Sequence, residues 1–306
     1  MSEWFEQKEE SAGVKRLLLS WWLYKIFGVI PLRIIAFFVI LFGYIGMIEQ
    51  KEALKTYFEN LSEYTKNKKY KKYKPSFLNK FKIFLNYANS LVDKIQGFAG
   101  DYKNLVFEND EVKTEISNLL KNKQGIFFIT NHIGNVELMR TLLLSKVMEE
   151  KPRVNIFLQK NHCEIFNTFL EKIAVKTNVS IYPVEDIDID TSVEVQEKLK
   201  NGEIVFMAGD RLSAKNVESF YETEILNRKV KLPIGVLKFA QMMESPIYFV
   251  TCAKNIVEYE IHAKRFEKEN SKTDTIQKLQ KEYASFLQSS ILKYPYQFYH
   301  FSKFFE

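Results

Sequence analysis

Cysteine is nearly absent from this chain of 306 residues: Cys163 and Cys252 stand far apart, with no C-x-x-C spacing. That excludes a disulfide framework and a thiolate metal site, and it makes a reducing compartment the default. Phosphate-cradling loops are missing too, since neither G-x-x-x-x-G-K-[ST] nor G-x-G-x-x-G occurs. There is no G-x-S-x-G elbow, so a serine hydrolase of that type lacks its nucleophile turn. His162, His262 and His300 are scattered relative to His132 and nothing has H-E-x-x-H spacing, so no metal is called for. Charge of one sign is also in short supply. Lys and Arg number 44 against 38 Asp and Glu, a net +6 that is too mild for a dedicated nucleic-acid protein unless it is clustered.

It is clustered in one place. Between Lys66 and Lys74 the chain carries six lysines interleaved with Tyr70 and Tyr73 and no acid. Such a stretch suits an anionic membrane surface, single-stranded nucleic acid, or a solvated linker. A hydrophobic content of 46% can bury a full core, and no internal repeat or long low-complexity linker breaks the chain. The organisation expected is an N-terminal membrane-associated helical region over 1–75 and one α/β domain over 76–306.

Ile34 to Ile48 is an uncharged apolar run preceded by Arg33 and followed by Glu49. Extended back through Pro31 to Gly28, it reaches nearly the twenty residues of a span, with Arg33 placed to snorkel. Upstream, Lys15, Arg16 and Lys25 flank Trp21 and Trp22, the composition of an interfacial anchor. A buried core hairpin of two helices is the competing reading. A signal peptide fits poorly, because the run starts late and lacks an A-x-A site.

Past a helix expected over 77–96, strands and helices alternate. Strands are expected at 125–130, 154–158, 179–184, 204–208 and 247–251, with 259–263 alternating as an edge strand would. Helices fall at 164–176, 191–200 with Thr191 or Ser192 as cap, 234–243 and 273–292. The fold class is therefore α/β, a mostly parallel central sheet flanked by helices.

His132 falls just past the strand ending at Thr130, where open α/β sheets keep their sites. Leu138, Leu142, Leu143 and Val147 lie at helical spacing beyond it. Glu137 follows His132 by five positions, about 140° of helical turn on average. The two therefore act together only if His132 precedes the helix, with Gly134 and Asn135 as the flexible, capping entry. An imidazole there takes the proton of an attacking hydroxyl, while a carboxylate on its other nitrogen fixes the tautomer. A helix-capping Asn beside a surface His and Glu fits the spacing equally well. A second constellation, Gly209-Asp210-Arg211, follows the strand ending at Ala208. There a glycine admits close backbone approach, and the acid and guanidinium hold a ligand or each other. Lys160, past another strand end, is a further cationic contact or an exposed loop residue.

The segment from Asn131 to Glu137 resembles the His-x4-acid motif of the lysophospholipid acyltransferase superfamily, in particular its bacterial lipid A late-acyltransferase-like branch. Phe166 to Leu170, Gly202 to Arg211, Leu226 to Gly235 and Tyr294 to Tyr299 resemble further blocks of that branch in the same order, over roughly residues 100–306. Val136 stands where an aromatic often precedes the acid, and Gly209-Asp210-Arg211 replaces an Asp-Gln-Asp-like block, which is more similar to a sister group of predicted acyltransferases. The Glu-Gly-Thr-Arg block of glycerolipid acyltransferases is missing.

The resemblance implies a membrane-associated O-acyltransferase moving a fatty acyl group from acyl carrier protein or coenzyme A to a hydroxyl of a lipid or glycolipid, without a cofactor. It implies His132 as general base and Glu137 as its orienter, with Asn131, Asn135, Lys160, Gly209, Asp210 and Arg211 on the substrate side. It also implies a bacterial inner-membrane protein with the active domain on the cytoplasmic side and no nucleic-acid partner. The competing class is a non-catalytic tether that holds lipid or nucleic acid through the Lys66 to Lys74 cluster.

Overall fold

The computed structural model describes residues 13–66, 73–102, 105–139, 152–173, 178–212, 218–256 and 258–306. The chain starts with α1 (Val14–Phe27), α2 (Val29–Gly43), α3 (Ile48–Thr65) and α4 (Phe77–Phe98), then β1 (Leu105–Phe107) and α5 (Asp110–Lys121). The body continues as β2 (Ile126–Thr130), β3 (Val154–Leu158), α6 (Lys160–Lys172), β4 (Val179–Pro183), α7 (Ile189–Lys200) and β5 (Ile204–Ala208). A hairpin of β6 (Phe220–Ile225) and β7 (Arg228–Pro233) precedes α8 (Ile234–Met242), β8 (Ile247–Lys254), β9 (Tyr259–Phe266) and α9 (Lys272–Lys293).

Seven strands form one sheet in the order β1-β9-β8-β2-β5-β3-β4. From β8 to β4 the neighbours are parallel, while β9 reverses against β8 and β1 follows β9. Period-two patterning sends alternate side chains to opposite faces. Phe127 and Ile129 of β2, Val205 and Met207 of β5 and Phe249 of β8 pack with α3, α4, α7, α8 and α9. Phe128, Phe206 and Tyr248 join Ile116 and Leu120 of α5 on the other face. The strand expected at an edge is interior instead. β1, three residues long and too short to read from periodicity, pairs with β9 and covers it. The cap of α7 also differs from expectation: Asp188 accepts from Thr191 N–H at 2.8 Å, starting the helix two residues earlier.

The apolar run breaks. α2 and α3 are bent by 95° across the turn between Gly43 and Ile48, and no single described helix is long and apolar enough to cross a membrane. α3 is bound to the sheet domain, because Leu54, Tyr57, Phe58 and Leu61 are fully buried in its core. Each such side chain contributes roughly 1.5–3 kcal/mol. Arg33 does not snorkel. Its Nη2 donates to Asp93 Oδ1 of α4 at 2.5 Å, because a fully buried carboxylate needs a cation more than the exposed face of α2 does. Of the two indoles, Trp21 packs edge-on to Phe169 of α6, whereas Trp22 is exposed. Residues 67–72, the heart of the lysine cluster, lie outside the described residues, as do Leu142, Leu143 and Val147.

Candidate functional site

β2 and β5 are adjacent, parallel and in register with Thr130 opposite Ala208. Two residues further along each strand stand His132 and Asp210, so register alone brings them together at the carboxyl ends of the central strands. His132 N–H donates to Asp210 Oδ2 at 2.7 Å, and His132 Nδ1 lies 2.8 Å from Asp210 Oδ1. Burial of Asp210 works against its charge, but the charge and hydrogen bonds of His132 and then of His300 outweigh it. Together they hold the carboxyl well below its usual range. An ionised carboxylate only accepts, so His132 carries its proton on Nδ1 and turns a bare Nε2 outward. The ring is 37% exposed, which leaves that nitrogen open to a substrate.

A third residue reaches the same carboxylate. His300 Nε2 lies 3.2 Å from Asp210 Oδ2, with its side chain 4% exposed. Burial, together with the charge of Arg211 and against the pull of Asp210, holds its ring down to about 4. His300 arrives on the segment after α9, which pairs with the chain leaving β2. Tyr299 N–H donates to His132 O, Gly134 N–H donates to Gln297 O, and Ile133 bridges Phe298. Gly134 has φ +71°, and a Cβ there would meet Cys252 O at 2.2 Å, so only glycine passes between β8 and this segment.

Ring and carboxylate atoms of His132, Asp210 and His300 lie within 4.8 Å of one another. Two donors on a tetrahedral ion with bonds of about 2.0–2.1 Å sit about 3.3 Å apart. The 2.8 Å approach of His132 to Asp210 is closer than that edge and is a hydrogen-bond separation, as expected for a hydrogen-bonded chain.

The carboxylate that meets the His132 ring in the structure is Asp210, where the motif points to Glu137. Glu137 sits in a single 3-10 turn, Val136–Leu138, and is ion-paired with Lys94 of α4. Between His132 and that turn, Ile133 bridges Phe298 and Gly134 bridges Cys252. No family model matches the chain, and no curated protein matches it in sequence.

The remaining expected site residues divide. The Asn131 amide is spent inside the protein, donating to Thr251 Oγ1 at 2.7 Å and accepting from Ile133 N–H. Asn135 makes no cap bond. Its Nδ2 donates to Ser90 O of α4 at 2.8 Å. Both are buried, so they shape the loop instead of facing a ligand. Lys160 is exposed and paired with Asp186 at 3.0 Å. Gly209 is needed because a Cβ would meet the Tyr283 ring at 2.9 Å. Arg211 donates from Nη2 to Tyr299 O at 2.7 Å.

His132 and Arg211 open onto a cavity of about 970 Å³. Phe157, Val184, Met207, Val236, Phe239 and Met243 supply much of its apolar wall, and Gln159 and His162 part of its polar one. That volume is at the top of the range of about 300–1,000 Å³ usual for small-molecule sites.

Proposed function

We propose that the protein is a membrane-associated O-acyltransferase that transfers a fatty acyl group from a thioester of acyl carrier protein or coenzyme A to a hydroxyl of a lipid or glycolipid. The observation that carries this reading is a histidine with its Nδ1 on a buried aspartate, lining a large and mostly apolar cavity. His132 Nε2 takes the proton of the acceptor hydroxyl as its oxygen attacks the thioester carbonyl. Asp210 stabilises the imidazolium that forms. Collapse of the tetrahedral intermediate breaks the carbon–sulfur bond, and the imidazolium returns its proton to the departing thiolate. The fatty chain occupies the cavity between Phe157 and Met243, and Arg211 is the wall cation assigned to the oxyanion or to a donor phosphate.

Attachment to the bilayer is read from apolar residues that face outward. Trp22, Phe27, Ile30, Phe38 and Phe42 of α1 and α2 are 48–73% exposed, and Leu78 of α4 is exposed as well. So many outward-facing large apolar side chains on neighbouring helices suit a membrane or protein interface. With α3 anchored in the core, α2 is proposed to lie in one leaflet of the bacterial inner membrane, on the cytoplasmic side where thioester donors are found.

One assay tests both parts. Membranes holding the full-length protein are washed with carbonate and incubated with a total bacterial lipid extract and each donor, and the lipids are read by mass spectrometry. Acylated lipid is expected from wild type and none from His132→Ala. Product from His132→Ala sinks the mechanism. Absence of product with either donor sinks the transferase reading in favour of a tether, and loss of the protein in the wash sinks the membrane assignment.

A further inference from the structure

We propose that His300 is a positioning residue: as a neutral donor to Asp210 it fixes the carboxylate that orients His132, without cancelling its charge. The inference rests on the reading of His132 as the base and assigns that site a third member. Three observations converge on it. The His300 ring is enclosed between Phe298 and Phe304, at 4.6 and 4.7 Å between centroids, so it cannot swing away from Asp210. Its Nε2 shares Asp210 Oδ2 with His132 N–H, leaving Oδ1 to the His132 ring alone. The adjacent Tyr299 N–H holds His132 O at 3.0 Å, so one short segment clamps both ends of the pair.

The residue type matters. A lysine or arginine in this place neutralises Asp210 and weakens the field that the imidazolium needs, whereas an apolar residue leaves a buried carboxylate oxygen short of a donor. A neutral imidazole satisfies the oxygen and leaves the charge. Burial, with the charges of Arg211 and His132, opposes a proton on His300, and these outweigh Asp210, the acid that faces it and favours one. Tyr283 turns its hydroxyl away, to Thr130 O.

Loss of the His300 donor concentrates the carboxylate charge on His132. Its imidazolium is then favoured, so its protonation midpoint moves to higher pH. The chain has four histidines, so selective labelling of their ring nitrogens gives a readable nuclear magnetic resonance titration of the full-length protein in detergent micelles. His300→Phe keeps the aromatic stacking and removes the donor, whereas His300→Asn removes the ring and keeps an N–H donor.

In His300→Phe the His132 midpoint is expected to rise by about 0.5–1 pH unit. In His300→Asn it is expected to stay near the wild-type value. In the acyl-transfer assay, His300→Phe is expected to lose about tenfold in kcat with little change in KM, with the acid limb of kcat/KM displaced upward. His300→Asn is expected to recover most of that loss. An unmoved His132 midpoint in His300→Phe, or an equal shift in both variants, overturns the proposal. So does a wild-type His300 that carries its proton on Nδ1 at neutral pH, an observation that needs no variant to fold. The titration requires no turnover, so failure of the transferase reading leaves this result separately legible.

Discussion

Asp93 and Asp210 are both fully buried carboxylates, and the protein satisfies them with opposite chemistry. Asp93 of α4 takes Arg33 Nη2 from α2, Lys254 Nζ from the end of β8 at 3.1 Å and the Tyr259 hydroxyl from β9 at 3.0 Å. Two permanent cations hold it, and burial and Asp93 together push the Tyr259 phenol up, so the proton stays on the tyrosine. Asp210 takes two imidazoles and one backbone N–H. Its two ring partners are imidazoles, a side-chain type able to give up or accept a proton, whereas the arginine and lysine on Asp93 keep theirs. A carboxylate among fixed charges ties elements together, here α2 and α4 to the sheet. A carboxylate among imidazoles is the arrangement that the proposed base requires.

The largest effect that tests this contrast is on turnover. Asp210→Asn is expected to lower kcat by about 10⁴-fold, the scale reached when the orienting aspartate of a serine-protease triad is lost. The pair of Glu137 with Lys94 is partly exposed and worth at most about 1 kcal/mol, so Glu137→Gln is expected to stay within about fivefold of wild type. Initial rates with saturating donor decide between them, and the reverse ranking restores Glu137 as the orienter.

Next comes stability. Asp93→Ala leaves Arg33 and Lys254 without their shared counter-charge, which costs about 3–5 kcal/mol for a buried pair, toward the low end here because Arg33 is 36% exposed. Urea unfolding in detergent reads that loss, and the acid limb of the pH–rate profile of the folded fraction is expected to stay in place. A displaced limb joins Asp93 to the site and removes the contrast.

The smallest effect is a slope. His300 is depressed from 6.5 to about 4 in the fold, so between those values the unfolded chain binds the extra proton. Stability is then full above pH 6.5 and falls as pH drops toward 4, by on the order of 3 kcal/mol over that window. The contribution of Asp210, whose pKa is depressed from 3.8, is lost only at lower pH and does not overlap. His300→Phe is expected to flatten the slope between pH 6.5 and 4. An unchanged slope assigns it to another group.

Much of this was legible in the sequence, and the failures share a cause. β3 and β5 run over the residues that periodicity assigns them and β2 starts one residue later, because short apolar runs bounded by turn residues have one buried solution. His132 and Asp210 were both singled out, each at the end of its strand. Their pairing was not, because a motif read along the chain joins His132 to the nearest acid, and strand order is a tertiary fact. Had β2 and β5 been placed side by side, the equal two-residue offset from Thr130 and Ala208 would have paired them. His300 gave no signal at all, since it reaches the site from an irregular segment that only packing places. The break in the apolar run was hidden because Gly43, Gly46 and Met47 stay apolar through a turn, and Arg33 was misread because its partner Asp93 lies in a different helix.

The register of β2 with β5 also bears on how the molecule comes into being. His132 and Asp210 are separated by 78 residues and Asp210 and His300 by 90, so every bond in the chain of three closes a long loop. Such contacts carry a high entropic cost before they return anything, and they form late. The helices over Val14–Phe98 precede all three residues in the chain, and the backbone hydrogen bonds within each helix close only short loops. A nascent or partly folded chain therefore holds its exposed apolar helices for some time before it holds a working base, and a destabilised variant loses chemistry before it loses that sticky surface.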